Sequence, residues 1–90
     1  MPMPQKDIFS KKENKLYKFN KLKSRKLDVA HVYDKLSRKT IEIKDKDYLL
    51  LIKEVSYRND MTMLLFIYNS KIIMVDKLFF NITNELTQIN

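Results

Sequence analysis

Glycine and cysteine are both absent from the 90 residues of this chain, and histidine occurs once. Phosphate-binding loops, dinucleotide-binding loops and nucleophile elbows need glycine, because their backbone approaches a ligand or adopts dihedral angles that other residues resist. Without cysteine there is no disulfide framework and no thiolate metal site, and one histidine does not make a zinc site. We therefore expect no catalytic residue, no metal and no cofactor.

Long apolar runs are also missing. The runs at residues 48–52 and 61–68 fall far below the roughly 20 residues that a membrane-spanning helix needs. The N-terminus has no apolar signal-peptide core, and its basic residues are mostly lysine, unlike those of organelle transit peptides. We expect a cytoplasmic protein that has no membrane partner.

Acidic residues are scarce in the first third of the chain. Residues 1–27 contain nine Lys and Arg but only Asp7 and Glu13, a net charge of +7, which equals that of the whole protein. Residues 28–90 contain nine basic and nine acidic residues. This polarity predicts a polyanionic partner, attracted by long-range steering and by release of counterions.

The basic segment supplies the candidate binding residues. Its cations would neutralise a nucleic-acid backbone with little sequence readout, because lysine is a point charge and arginine the bidentate reader. Aromatic side chains interleaved with them would stack on bases or dock. The candidates are Lys11, Lys12, Lys15, Lys18, Lys21, Lys23, Arg25, Lys26, Tyr17 and Phe19. The alternatives are a solvated tail that only aids solubility and a cationic helix lying on an anionic membrane.

Two helices are predicted in the first half of the chain. Residues 1–9 contain two prolines and no periodicity, which favours disorder. Ser10 and Glu13 have the spacing of a capping box, so a first helix with a sparse apolar stripe starts there. Asp28 is a good N-cap, and apolar residues at helical spacing predict a second helix over Val29–Arg38.

The second half is typical of strands. We predict strands at 40–43, 48–57, 61–68 and 71–82, with a turn at 58–60 and a two-residue turn at Asn69-Ser70. The hairpin around Asn69-Ser70 would pair Ile67 with Ile72, Leu65 with Met74 and Leu64 with Val75. The predicted fold is α+β: one or two N-terminal helices packed on a three- to four-stranded antiparallel meander. A partly disordered basic arm (residues 1–27) precedes the small α+β domain (residues 28–90).

Other conspicuous residues have ordinary explanations. His31 has no partner nearby in sequence and fits a partly exposed surface position. Asp45 and Asp47 flank Lys46 and indicate a turn, and residues 81–83 match a glycosylation acceptor by chance. Met61, Met63 and Met74 lie on the strongest predicted strands as core residues, with an adaptable protein-binding surface as the alternative.

Residues 48–80 resemble the end of the RelE/ParE/HigB-type toxin fold, in which helices precede a three-stranded antiparallel meander. The resemblance is carried by Ile52–Arg58, by the apolar residues 64–68, by the turn at 69–71 and by residues 72–80. The basic pair that usually follows the last strand is replaced by Asn81-Ile82, and the first strand is missing. The resemblance implies mRNA cleavage, with Arg58 as the one position matching a functional arginine.

The leading hypothesis is a non-catalytic accessory protein that binds nucleic acid, RNA or DNA, or a ribonucleoprotein. Heavy use of Lys, Asn and Ile is typical of AT-rich genes, such as those of a phage, a mobile element or an organelle. The alternatives are a RelE/ParE-like ribonuclease toxin and a protein-binding inhibitor of a host enzyme, whose partner would dock on an apolar sheet face.

Overall fold

A computed structural model describes residues 14–58 and 60–90 of the protein. Seven strands and one short helix follow one another along this part of the chain. They are β1 (Lys15–Phe19), β2 (Val29–Asp34), β3 (Lys39–Lys44), β4 (Tyr48–Arg58), β5 (Met61–Tyr68), β6 (Lys71–Asp76), α1 (Lys77–Thr83) and β7 (Leu86–Gln88).

Five of the strands form one antiparallel sheet in the order β6-β5-β4-β1-β7. The other two, β2 and β3, pair only with each other, and this β2–β3 hairpin is inserted in the chain between β1 and β4. Because β1 lies between β4 and β7, the first described strand of the chain is an interior strand of the sheet.

The core lies between the inner face of the five-stranded sheet and the β2–β3 hairpin. Phe66 is at its centre, and its ring makes edge-to-face contacts with Tyr17, at 6.4 Å between centroids, and with Phe80, at 5.8 Å. The hairpin contributes Ala30, Val32 and Ile43 to the same cluster. The β2–β3 hairpin therefore covers the sheet face for which the sequence predicted a covering helix.

Asp34 fastens the end of β2 to the edge of β6. The Met74 N–H donates to Asp34 Oδ1 at 2.9 Å, and the Lys35 N–H donates to the Met74 carbonyl at 2.8 Å. Asp34 also accepts hydrogen bonds from the backbone N–H groups of Leu36 and Ser37. Burial alone would raise the pKa of this carboxyl group, but these hydrogen bonds stabilise the carboxylate and lower its pKa below the ordinary value.

The prediction of N-terminal helices is wrong, and the described part of the chain is mostly β. The segment expected to continue the first helix forms β1, and Val29–Asp34, expected in the second helix, forms β2. In β2 the buried residues are Ala30, Val32 and Asp34, a period of two. Val29, Val32, Tyr33 and Leu36 also fit a helical period, so the pattern was ambiguous, and pairing with β3 selects the strand.

The meander prediction is confirmed for β4, β5 and β6, whereas the strand predicted at 40–43 is β3, which pairs with β2 and not with β4. β5 pairs with β6 around the Asn69-Ser70 turn in the expected register: Ile67 with Ile72, Leu65 with Met74 and Leu64 with Val75. Beyond Asp76 the predicted strand is wrong, because Asp76 accepts a hydrogen bond from the Leu78 N–H and caps α1. The helices that the resemblance to the toxin fold implied before the meander are not found: strands β1, β2 and β3 precede β4.

The boundary predicted between an arm and a domain falls inside this fold. Residues 1–13 lie outside the described residues, whereas residues 14–27 comprise β1 and a loop attached to the sheet. A chain that began at residue 28 would leave β4 and β7 without the strand that joins them. The basic segment from residue 14 onward is therefore part of the folded domain.

Turns in this glycine-free chain use other residues at left-handed backbone angles. The described residues with positive φ are Asn14, Arg38, Lys46, Asn69, Ser70 and Asn84. Asparagine adopts this conformation more readily than other residues with a side chain. Asn69 and Ser70, with φ of 50° and 62°, form the two-residue hairpin turn between β5 and β6.

No helix among residues 14–58 and 60–90 has the length and apolar character needed to cross a membrane.

Replacing Phe19 with alanine tests whether β1 belongs to the core. Phe19 is completely buried, so we expect the substitution to lower the free energy of unfolding by about 3–5 kcal/mol, a large part of the stability of so small a domain. Leu22→Ala, at a residue that is 47% exposed, is the control and should cost less than about 0.5 kcal/mol. Urea denaturation measures both, and equal midpoints for the two variants would contradict the placement of β1.

Candidate nucleic-acid interface

The structure divides the predicted binding residues into a core group and a surface group. Tyr17 and Phe19 are buried in the core, where their rings are not accessible to a nucleic-acid base. Lys15, Lys18, Lys21, Lys23, Arg25 and Lys26 lie on β1 or in the loop that follows it. Lys11 and Lys12 lie outside the described residues.

The loop of residues 20–28, called the basic loop below, is held by Glu85. The Asn20 N–H donates to the Glu85 carbonyl at 2.8 Å, and the Leu22 N–H donates to Glu85 Oε2 at 3.0 Å. Arg25 donates from Nε to Oε2 at 2.7 Å and pairs through Nη2 with Oε1, a bidentate contact. Glu85 is only 2% exposed, so these bonds satisfy a buried carboxylate.

Arg25 therefore stabilises the fold through its contact with Glu85. Its guanidinium group also lies 5.9 Å from the centre of the Phe19 ring, which places it between the core and Glu85. The hydrogen bonds from Arg25 lower the pKa of Glu85, and the same contact raises the pKa of Arg25. Although the sequence placed Arg25 among the phosphate-binding residues, its charge is engaged in this internal pair.

A second acidic side chain fixes the start of the basic loop. Asp45, in the turn between β3 and β4, accepts a hydrogen bond from the Lys21 N–H at 2.9 Å. The Lys21 ammonium group pairs with Asp28 at 2.8 Å, and this hydrogen bond raises the pKa of Lys21. Lys23 and Lys26 are exposed and form no ion pair with a described residue. The loop therefore presents Lys23 and Lys26 to solvent from an anchored backbone.

A polar patch lies beside the basic loop on the outer face of the sheet, the face opposite the core. In the sheet register Lys18 pairs with Tyr48 on one side and with Thr87 on the other. The Lys18 ammonium group lies 5.6 Å from the centre of the Tyr48 ring. Lys46 donates to Asn20 Oδ1 at 3.1 Å, and Asn20 Nδ2 donates to Thr87 Oγ1 at 3.1 Å.

We call Lys18, Tyr48, Asn20, Thr87 and Lys46 the Lys18–Tyr48 patch. The sequence placed Tyr48 at the start of a strand and Lys46 in a turn, without a binding role for either. The available signal was an aromatic residue directly after the Lys44–Asp47 turn, but its exposure and its position beside Lys18 follow only from the pairing of β1 with β4. The patch and the basic loop share Asn20, which begins the loop and forms hydrogen bonds with Lys46 and Thr87.

The remaining conspicuous residues have structural partners. His31 Nε2 is 3.4 Å from Glu42 Oε1 across the β2–β3 hairpin, and both side chains are at least half exposed. Asp47 accepts hydrogen bonds from the Lys44 N–H at 3.2 Å and from the Tyr68 hydroxyl. Among the described residues no group of three or more His, Cys, Asp or Glu side chains is placed to hold a metal ion. Arg58 is an exposed residue at the end of β4.

Comparison with known proteins finds no match: no protein-family model, no curated protein and no solved structure is similar to this chain.

Replacing Glu85 with glutamine tests the anchoring of the basic loop. Because Arg25 would lose its buried partner charge, we expect a loss of roughly 2–3 kcal/mol of stability at neutral pH. The pKa of Glu85 is lowered from 4.5 in the folded state, so its contribution is complete above pH 4.5 and is lost as the pH falls through its folded pKa.

Chemical denaturation at about pH 7 and about pH 3 measures this dependence. The difference in stability between the wild type and Glu85→Gln should shrink at the lower pH. Glu42→Gln, at an exposed carboxyl group, is the matched control and should change stability by less than about 0.5 kcal/mol. A difference that does not depend on pH would show that Glu85 contributes through packing and not through its charge.

Proposed function

We propose that this protein binds nucleic acid, without catalysing a reaction, through the basic loop and the adjoining Lys18–Tyr48 patch. One observation carries the proposal: residues 14–27 contain five lysines and no acidic residue, β1 fixes two of these lysines in the sheet, and the contacts of Glu85 and Asp45 hold the backbone of the loop that carries the other three. The cations of this segment are therefore presented at defined positions on a folded surface.

A preorganised cationic surface favours binding of a polyanion. Ordering a flexible lysine-rich segment costs conformational entropy when it binds, whereas the basic loop is already ordered by its backbone hydrogen bonds. Lysine side chains neutralise phosphates with little base readout, so we expect weak sequence preference. Ribosomal or phage ribonucleoprotein settings are compatible with this chemistry.

The salt dependence of binding tests the proposal. If about four to six cations contact phosphates, the logarithm of affinity should fall with the logarithm of salt concentration at a slope of roughly −3 to −5. Fluorescence anisotropy with labelled RNA and DNA oligonucleotides, from about 50 to 300 mM salt, measures the slope. No binding at the lowest salt, or binding that does not depend on salt, would overturn the proposal.

Two triple variants of equal charge locate the interface. The first replaces Lys18, Lys23 and Lys26 with glutamine, and the second replaces Lys39, Lys53 and Lys71, which are exposed on β3, β4 and β6. We expect the first to weaken binding at least about tenfold and to reduce the salt slope by about 2–3, and the second to change affinity by less than about threefold. Equal effects would mean that only net charge matters.

Anionic lipid vesicles provide the competing outcome. Leu22 and Leu27 are exposed in the basic loop, and apolar side chains among lysines also suit an anionic membrane surface. Vesicles containing phosphatidylserine should bind more weakly than an oligonucleotide at the same salt concentration. Binding to the vesicles and not to nucleic acid would replace the proposal with membrane association.

A protein partner is the second candidate, because a row of apolar side chains crosses the outer face of the sheet. The strand pairing places five apolar residues side by side, one from each of β6, β5, β4 and β1 and one directly after β7. They are Ile72, Ile67, Leu50, Leu16 and Ile89. Ile67, Ile72 and Ile89 are exposed, and contiguous exposed apolar surface is typical of interaction sites.

Purification from the native host, with and without nuclease treatment, separates the two candidates. If the protein binds nucleic acid, the molecules that co-purify with it should be lost after nuclease treatment. A partner bound to the apolar row should survive the nuclease and be lost from a variant with both Ile67→Glu and Ile72→Glu, which should retain salt-dependent binding to oligonucleotides.

A further inference from the structure

Tyr48 is an exposed aromatic residue beside two cations. It is 52% exposed, and its neighbour along β4, Leu49, is fully buried. Because side chains alternate along a strand, Tyr48 projects from the outer face, whereas the β2–β3 hairpin covers the inner face. The ring is thus presented to solvent from a rigid strand.

Two lysines lie near Tyr48 in the patch, one on the neighbouring strand and one in the turn that precedes β4. Lys18 comes from β1, directly opposite Tyr48, and its ammonium group lies 5.6 Å from the ring centre. Lys46 precedes Tyr48 by two residues and is held by Asn20 at 3.1 Å. An aromatic ring with lysine ammonium groups in the same patch matches the chemistry of a nucleotide, in which an aromatic base is joined to a phosphate.

Polar groups complete the same patch. Asn20 connects Lys46 to Thr87 through two hydrogen bonds of 3.1 Å. Thr87 lies opposite Lys18 in the sheet, on the side away from Tyr48. These hydroxyl and amide groups, which lie beyond Lys18 from the ring, offer donors and acceptors to the nucleotide that neighbours the stacked one.

An exposed ring distinguishes single strands from duplexes. The bases of a duplex are stacked on one another, so a duplex offers this surface only its phosphates, whereas an unpaired base can place its face on a tyrosine ring. Resting on the function proposed above, we propose that the ligand is single-stranded nucleic acid and that one of its bases stacks on Tyr48. Lys18 and Lys46 then contact the neighbouring phosphates.

The experiment compares single- and double-stranded ligands with variants of exposed tyrosines. The probes are an oligouridine of about 12 nucleotides and a duplex RNA of the same length, at low salt. Tyr48→Ala should weaken binding of oligouridine roughly 5- to 100-fold and change duplex binding by less than about twofold, because stacking is lost and charge is not. Tyr48→Phe should keep the affinity for oligouridine within about threefold of the wild type, since the ring remains.

Tyr33→Ala is the matched control. Tyr33 is 51% exposed on the β2–β3 hairpin, away from the Lys18–Tyr48 patch, and its replacement should leave both affinities unchanged. Circular dichroism and thermal melting show that each variant is folded. The salt slope of Tyr48→Ala should equal that of the wild type, because no phosphate contact is removed.

The outcomes separate this inference from the proposed function. Normal oligouridine binding by Tyr48→Ala, with weakened binding by the Lys18, Lys23 and Lys26 triple variant, would overturn the role of Tyr48 and leave nucleic-acid binding intact. Equal loss of oligouridine and duplex binding in Tyr48→Ala would overturn the preference for single strands. Failure of the wild type to bind either ligand would overturn the proposed function itself.

Discussion

The buried carboxylate of Glu85 ties the segment after β1 to the segment before β7. The carboxylate accepts hydrogen bonds from the Leu22 backbone N–H and from the Arg25 guanidinium group. The backbone carbonyl of Glu85 accepts a further hydrogen bond from the Asn20 N–H. A buried carboxylate without such partners would carry a large desolvation cost. The position of the basic loop, and with it the direction of the lysines, therefore depends on a negative charge that solvent scarcely reaches.

This arrangement explains how a strongly cationic segment belongs to a folded domain. Lysine-rich sequences usually remain solvated because they have little apolar surface to bury. In this segment the strand period directs Tyr17 and Phe19 into the core, and the lysines stay at the surface. Two buried aromatic side chains, the pairing of β1 with two strands and the contacts of Glu85 and Asp45 together incorporate residues 15–27 into the fold.

Part of the fold could be predicted from the sequence because its signals are local. The β5–β6 hairpin combines two apolar runs with Asn69-Ser70, residues suited to a tight turn, and its register follows. The segments that became β1 and β2 have short apolar patterns that fit both a helix and a strand, and only pairing with distant strands resolves them. β1 pairs with β4 and β7, more than 25 and more than 65 residues away.

The candidate site likewise combines features that local sequence signals predict with features that depend on distant contacts. The concentration of positive charge is visible in the composition, whereas the engagement of Arg25 by Glu85 spans 60 residues of sequence. Which of the aromatic residues is exposed for binding also depends on the strand register. Tyr17 and Tyr48 look alike in the sequence, but neighbouring positions in paired strands send one to the core and the other to the outer face.

The turn residue Lys46 shows how charge and backbone preference can oppose each other. Its φ is 74°, an angle that costs a residue with a Cβ about 1–2 kcal/mol and costs glycine nothing comparable. Glycine at this position would relax the backbone and strengthen the β3–β4 turn, but it would remove the ammonium group that contacts Asn20. The β3–β4 turn therefore combines a left-handed backbone angle at a residue with a Cβ and a surface cation hydrogen-bonded to Asn20, and Lys46→Gly would exchange the second for relief of the first.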